Sequence, residues 1–442
     1  YNLLTAPSKA TGQPYLSSVL GHGVTAEGEI DTMALLNDTM EGPVVVGESG
    51  WQDKIPFDIS TASVTRDGVA SAASALTAND VVYWSDTLHA LWVYTNKVTG
   101  PIQAITPASS PASVTVSGKS YDIETSSAAY ALSDLGTFEV GDAVTLLLGR
   151  DGKVAAAVTP GQAASDTVWG LVLSSTPQTF TDKNGNDYTT AAISVLATDG
   201  STYTYSVDRA TIQPGALVQV TSSAAGVEVK ALPSANLSGT VSADGQRLGS
   251  LTFAADVEIL DVYGEKGVRV YPERLAGMEL TRSMVRYYLL DGSGNISRLI
   301  LTDATGDMHT YGVITSVREV GNTGGADTSG TYVYDVGGTT ATLTGGRVYK
   351  VLPGPFQMKT DGEEVDRFVN LTSVHLDSVD GATAYGGNRQ YAIWDDVLVY
   401  QVDGDRYYPT SLSLVTDGSY SLTGYYDKDQ SQGGRIRVIL AR

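Results

Sequence analysis

One short stretch, DKNGND, is crowded with oxygen-bearing side chains: Asp182, Asn184, Asn186 and Asp187 fall within six residues of one another. Calcium, a hard cation, takes about six to eight such oxygens, so these four are the candidate metal ligands and calcium the candidate ion. The same stretch also suits a plain hairpin turn, because Asn and Gly accept the positive φ that tight turns need. DKDQSQGG is a second oxygen-rich loop, with Asp427, Asp429 and Ser431 at the first, third and fifth positions of a calcium loop of EF-hand type. Its glycine, Gly433, comes one place late, and Val438 stands where the twelfth position needs a bidentate Glu. An EF-hand is therefore excluded.

Other chemistries find fewer residues. The four histidines, His22, His89, His309 and His375, are far apart, and none has a second His or a carboxylate at the spacing a helical metal site uses. No G-x-S-x-G elbow, H-E-x-x-H pair or phosphate-binding loop is present, and the Gly-rich GNTGGADTSG at 321–330 leads into a strand pattern and not a helix. Glycosidase chemistry needs only two carboxylates, but it also needs a cleft that small modules rarely offer. Trp51, Trp84, Trp92, Trp169 and Trp394 can stack on sugars if exposed, and fill a small core if buried. The chain is not expected to be an enzyme.

The elements that carry these residues are strands. Charged residues make up only 17% of the chain, while 48 Gly and 25 Tyr accompany many Val, Thr and Ser, a composition rich in strands and turns. A net charge of -21 repels phosphate backbones and anionic lipid, which argues against nucleic-acid partners and favours cations. There is no cysteine, so disulfides and thiolate sites are excluded. No apolar run is long enough for a membrane span, and residues 1–30 lack the pattern of a signal peptide.

A repeat organises the strands. A Gly followed at once by an apolar run recurs at Gly100, Gly170, Gly239 and Gly312, at intervals of 70, 69 and 73 residues, which indicates tandem modules. Each period closes on two apolar runs around a polar or Asp-Gly-type turn, at 80–96, 142–159, 216–232, 283–302 and 421–441, which reads as a hairpin in each case. DVEILDV leading to Tyr271-Pro272 parallels DVLVYQV leading to Tyr408-Pro409, which indicates duplication. The expected fold is all-β, a tandem of small β-barrel or sandwich modules of about 70 residues. The expected boundaries are 1–45, 46–98, 99–167, 168–236, 237–310 and 311–442, the last with an insertion near 350–390. Residues 1–45 are expected to be partly helical, with short pieces at YNLLTA and YLSSVL broken by Pro7 and Pro14.

YNLLTAP resembles the closing helix of an S-layer homology module, and DVVYWSDTLHALWVYTNKVTG with GDAVTLLLGRDGKVAAAV resembles the β-rich region that follows such modules in Firmicutes surface proteins. The resemblance covers most of the chain from about residue 45. It implies an extracellular, wall-associated structural protein of a surface layer or envelope, which self-associates and reaches the cell-wall polymer through modules upstream of Tyr1. The anchoring signature itself is incomplete, since Leu280-Thr281-Arg282 lacks the acidic residue that follows it, so wall binding is not expected of these residues. A carbohydrate-binding or adhesin stalk protein of the bacterial surface is the alternative expectation.

Overall fold

The computed structural model describes residues 5–7, 14–16, 40–161, 167–181, 187–207, 212–223, 226–320, 328–416 and 418–442. The protein is all-β, with one short α-helix, Ser126–Ala131, among the described residues. None of its described helices is long and apolar enough to cross a membrane. The chain forms two compact units, one ending at Pro233 and the other covering Ser234–Arg442. All five closing hairpins are present. The hairpin at 142–159 turns through Asp151 and Gly152, at φ 60° and 70°, as a tight turn of this kind requires.

Two kinds of module recur along the chain. The first kind occurs at 97–158, 167–231 and 310–370. In each copy three antiparallel strands follow one another, a fourth returns beside the first, and a fifth pairs with the fourth, giving the spatial order three-two-one-four-five. This is a Greek key extended by one strand, the connectivity of a small, partly open barrel. In the 97–158 copy the chain continues from strand three into a parallel bridge, Ile123 to Val154, that brings strands three and five together.

The first strand of each barrel holds one of the recurring glycines. Gly100, Gly170 and Gly312 lie opposite Val144, Val218 and Phe356 of strand four. Two residues further on, each first strand breaks register against strand two, at Ile102/Ala104, Val172/Ser174 and Ile314/Ser316. Such bulges bend a strand enough for it to serve two sides of a barrel. Glycine is needed there because backbones approach closely: a Cβ at Gly170 would lie 2.1 Å from the Leu196 carbonyl, and one at Gly312 2.1 Å from that of Asp335. Gly239 is not part of this set, since it starts a two-residue strand paired with Glu279–Leu280.

The second kind of module is two hairpins joined by a 3-10 turn, with the first strand of one hairpin parallel to the last strand of the other. Its copies pair Ser63–Arg66 with Ala90–Tyr94, Leu251–Tyr263 with Ile296–Thr302, and Arg389–Asp403 with Ile436–Ala441. The last two copies match in detail, breaking register at Phe253/Glu258 and at Ile393/Leu398, 140 positions apart. That register corrects one expected correspondence. Tyr408 and Pro409 lie inside a strand, opposite Gln401 and Tyr400, whereas Tyr271 and Pro272 come after the equivalent strand.

Residues 311–442 differ from the single module with an insertion that was expected, because a five-stranded barrel sheet and a separate seven-stranded sheet occupy them. The stretch near 350–390 is the end of one module and the start of the next. Near the N-terminus, Thr5–Pro7 and Pro14–Leu16 pair as antiparallel strands where short helical pieces were expected. Proline fits this better than a helix interior, since it has no N–H to donate and its fixed φ suits an extended edge.

Each module has its own apolar core, from the Val44, Val82 and Leu91 group to the Ile393, Ile436 and Ile439 group. Two further clusters lie at seams between modules of one unit. Val81, Tyr83 and Leu147 join the first hairpin module to the first barrel, and Tyr311, Tyr400 and Leu440 join the last barrel to the last hairpin module. The glycine argument is checked by denaturant unfolding. Gly312→Ala is expected to cost about 1–3 kcal/mol through overpacking against the Asp335 carbonyl. Gly292→Ala, whose added Cβ meets nothing within 4 Å, should stay within about 0.5 kcal/mol of the parent.

Candidate functional site

The densest polar constellation among the described residues was not apparent in the sequence. It is built on the connection Asp303–His309, between the last strand of the 251–302 module and the first strand of the following barrel. Asp261, fully buried in the long strand Leu251–Tyr263, accepts hydrogen bonds from the backbone N–H groups of Ala304 and Thr305, at 3.0 and 2.7 Å, and from the Thr305 hydroxyl at 2.7 Å. Burial is the leading influence on this carboxyl and raises its pKa against those three donors. The connection is thereby fixed at its first turn.

Arg437 is the centre of the constellation. It sits in the closing strand Ile436–Ala441, every residue of which is buried, and its own side chain is fully enclosed. An enclosed guanidinium is tolerable only when its donors are satisfied and its charge is balanced. Here Nη1 donates to Asp307 Oδ1 at 2.6 Å, Nη2 to the Thr305 carbonyl at 2.6 Å and to Asp427 Oδ2 at 3.0 Å, and Nε to Asp427 Oδ2 at 3.1 Å. The guanidinium carbon also lies 4.8 Å from the centre of the Tyr311 ring and 5.0 Å from that of Trp394, a cation between two aromatic rings. Burial pulls the arginine pKa down, but Tyr311, Asp427 and Asp307 outweigh it and hold it above the ordinary value.

A second arginine completes the balance. Arg274 donates from Nε and Nη2 to both oxygens of Asp307, at 2.8 and 2.9 Å, and from Nη2 to the carbonyls of Thr305 and Gly433. Burial raises the Asp307 pKa, yet the two arginines hold it below the usual carboxylate range. Beside them, Asp303 pairs with His309 Nε2 at 2.7 Å and with the Lys359 ammonium, while Lys428 Nζ donates to the Ala304 carbonyl at 2.8 Å. The residues come from three successive modules, so the constellation joins them in one network.

Asp182, Asn184 and Asn186 lie outside the described residues; Asp187 begins the strand Asp187–Ala197 opposite Thr181 and is exposed. Among the described residues no group of three or more His, Asp or Glu side chains is placed to hold a metal ion. Asp427 is committed to protein partners. Besides Arg437, it accepts from the backbone N–H groups of Lys428 and Arg435.

His89 bonds the Thr61 hydroxyl and lies 4.4 Å from the ring of Phe57, His309 belongs to the ion network, His375 is exposed, and His22 lies outside the described residues. None of the five tryptophans is exposed. Trp84 is in a module core, and Trp394 covers Arg437.

One cavity, of about 90 Å³, opens on the last module. Arg389, Tyr391, Tyr426, Gln430 and Arg435 are among its lining residues, with Asp429 the one acidic group. Burial, reinforced by the nearby arginines, lowers the Arg435 pKa to about 10. The two tyrosine rings are 5.5 Å apart. Chemically, this is a small pocket that joins cationic donors to aromatic and aliphatic carbon, in a protein that is otherwise strongly acidic.

The chain matches no protein-family model, no curated protein and no solved structure. Its site is therefore characterised by geometry. Burial pushes the Asp303 pKa up, but hydrogen bonds and charge from His309 and Lys359 bring it down to about 2. A carboxylate depressed in the folded state contributes stability above its unfolded pKa and loses it as pH falls through the folded one. The stability difference between the parent and Asp303→Asn, measured by urea unfolding, is expected to shrink steadily as pH falls from about 5 towards 2. A difference independent of pH would mean that this ion pair does not form.

Proposed function

We propose that this chain is a structural component of a bacterial cell surface, a surface-layer or envelope protein whose tandem β-modules serve as building material. The observation that carries this reading is the network around Arg437. It fixes three consecutive modules with buried charges in a chain that otherwise keeps its charged residues sparse. A building block gains from joints that do not flex. The extracellular, wall-associated setting rests on the likeness of the hairpin-rich segments to the region that follows S-layer homology modules.

Self-association in a surface array is the partner relationship this reading requires, with calcium as the natural bridge between strongly acidic surfaces. Contact with cell-wall polymer is assigned to upstream modules, and catalysis has no part in the reading.

The small cationic pocket lined by Arg389, Arg435, Tyr391 and Tyr426 favours a second reading, a carbohydrate-binding or adhesin protein of the same surface. Such a pocket would take an acidic sugar by hydrogen bonds to its carboxylate and ring contact with tyrosine.

Negative-stain microscopy of the purified chain in millimolar calcium, and again with chelator, separates the two readings. The structural reading expects ordered sheets or filaments that dissolve on chelation. Isolated particles under both conditions would overturn it in favour of the binding reading.

A further inference from the structure

Among the described residues, the edges of the barrel sheets are protected with one exception. A strand at the rim of a sheet offers unpaired N–H and C=O groups to any other strand, and proteins blunt such rims with charge, bulges, short length or cover. Of the three fifth strands, Val154–Val158 is largely buried at the seam with the first module, and Gly226–Ala231 carries the Glu228–Lys230 ion pair at 3.1 Å. The third, Glu364–Asn370, has charged Glu364, Asp366 and Arg367, and its carbonyls at Val365 and Asp366 accept from Arg347 at 2.9 and 3.1 Å.

The third strands differ more. Lys119–Asp122 is four residues long, charged at both ends, and followed by the bridge from Ile123. Thr202–Val207 is occupied on its outer side, where Tyr203, Thr204 and Tyr205 pair in parallel with Lys97, Val98 and Thr99 of the preceding barrel. The equivalent strand of the last barrel, Thr339–Gly345, pairs with Ser329–Val336 on one side and with no described strand on the other. It reads TTATLTG, without a charge, a proline or a break in register. Thr340, Thr342 and Thr344 are exposed, while Leu343 packs on the barrel core.

We propose that the outer edge of Thr339–Gly345 is an assembly edge, at which the same strand of a second copy adds in antiparallel fashion. Two observations select this occupant. The chain itself already fills the equivalent edge of the middle barrel with a strand from another of its barrels. The sequence is also self-complementary about Thr342: antiparallel pairing across a two-fold axis sets Thr342 against Thr342, Ala341 against Leu343 and Thr340 against Thr344. Threonine pairs of this kind are favourable across a ladder, and a two-fold contact uses the same surface on both partners. The inference rests on the self-associating structural reading and names where that association occurs.

The test uses the full chain carrying Thr342→Lys or Thr342→Glu, with analytical ultracentrifugation over a concentration series and circular dichroism melts to show that each variant folds as the parent does. In millimolar calcium, the condition under which the structural reading expects assembly, the parent is expected to associate as concentration rises. Each variant alone should lose that association, because like charges would face each other, and an equimolar mixture should regain it. Variants that associate as the parent does, or a mixture that fails to regain association, would overturn the edge. Parent arrays that persist unchanged in both variants would overturn the edge and leave the structural reading standing, whereas a parent that stays monomeric throughout would overturn both.

Discussion

The second unit depends on one buried positive charge. A guanidinium cut off from water costs several kcal/mol unless its charge is balanced and its donors are met, and Arg437 has two carboxylates, a carbonyl and two aromatic faces around it. Those partners come from different modules: Asp307 and Thr305 from the connection, Tyr311 from the barrel, and Asp427 and Trp394 from the last module. Displacing one module would leave charges of both signs in an apolar interior. That penalty, more than the apolar seam of Tyr311, Tyr400 and Leu440 beside it, makes the arrangement specific. Hydrophobic contact tolerates a slide of an ångström or two; a bidentate arginine pair does not.

Around this joint the protein reuses two solutions to a single problem, how about 60 or 70 residues bury a core built almost wholly from strands. The barrel bends its first strand at a bulge so that both sides of that strand carry partners, and Gly170 and Gly312 permit the close approach this creates. The hairpin module instead brings two hairpins together through one parallel pairing. Both leave sheet rims, and among the described barrel rims Thr339–Gly345 is the one without charge, cover or a second strand.

Much of this was legible in the sequence, and what was not has physical causes. Hairpins were readable because paired apolar runs flank polar turns, and at 142–159 the turn is Asp151-Gly152, whose positive φ is written in residue type. The barrel glycines were readable as a period, but Gly239 was grouped with them because the pattern of a Gly before an apolar run does not reveal which backbone approaches it. The Tyr-Pro match misled for a similar reason, since two residues are too few to fix register when the flanking strands set it three positions away. The Arg437 site was missed because RIRVILA reads as an apolar closing strand. The available signal was the arginine itself: a charge at an interior-facing position of a buried strand needs acidic partners, and Asp427 stands ten residues before it. For the calcium candidate, Asp182, Asn184 and Asn186 lie outside the described residues, and Asp187 alone is placed.

The claim at the centre of the account is that the Arg437 network makes three modules one mechanical body, and stretching single molecules tests it most directly. Pulled from both ends, the parent chain is expected to release Ser234–Arg442 in one step, with a contour gain of about 3.5 Å per residue. Arg437→Met, which leaves Asp427 buried without its guanidinium partner and Asp307 with Arg274 alone, should cost about 3–5 kcal/mol and is expected to divide that step into separate module-sized releases. A parent chain that already unfolds module by module, with forces unchanged by Arg437→Met, would contradict the account.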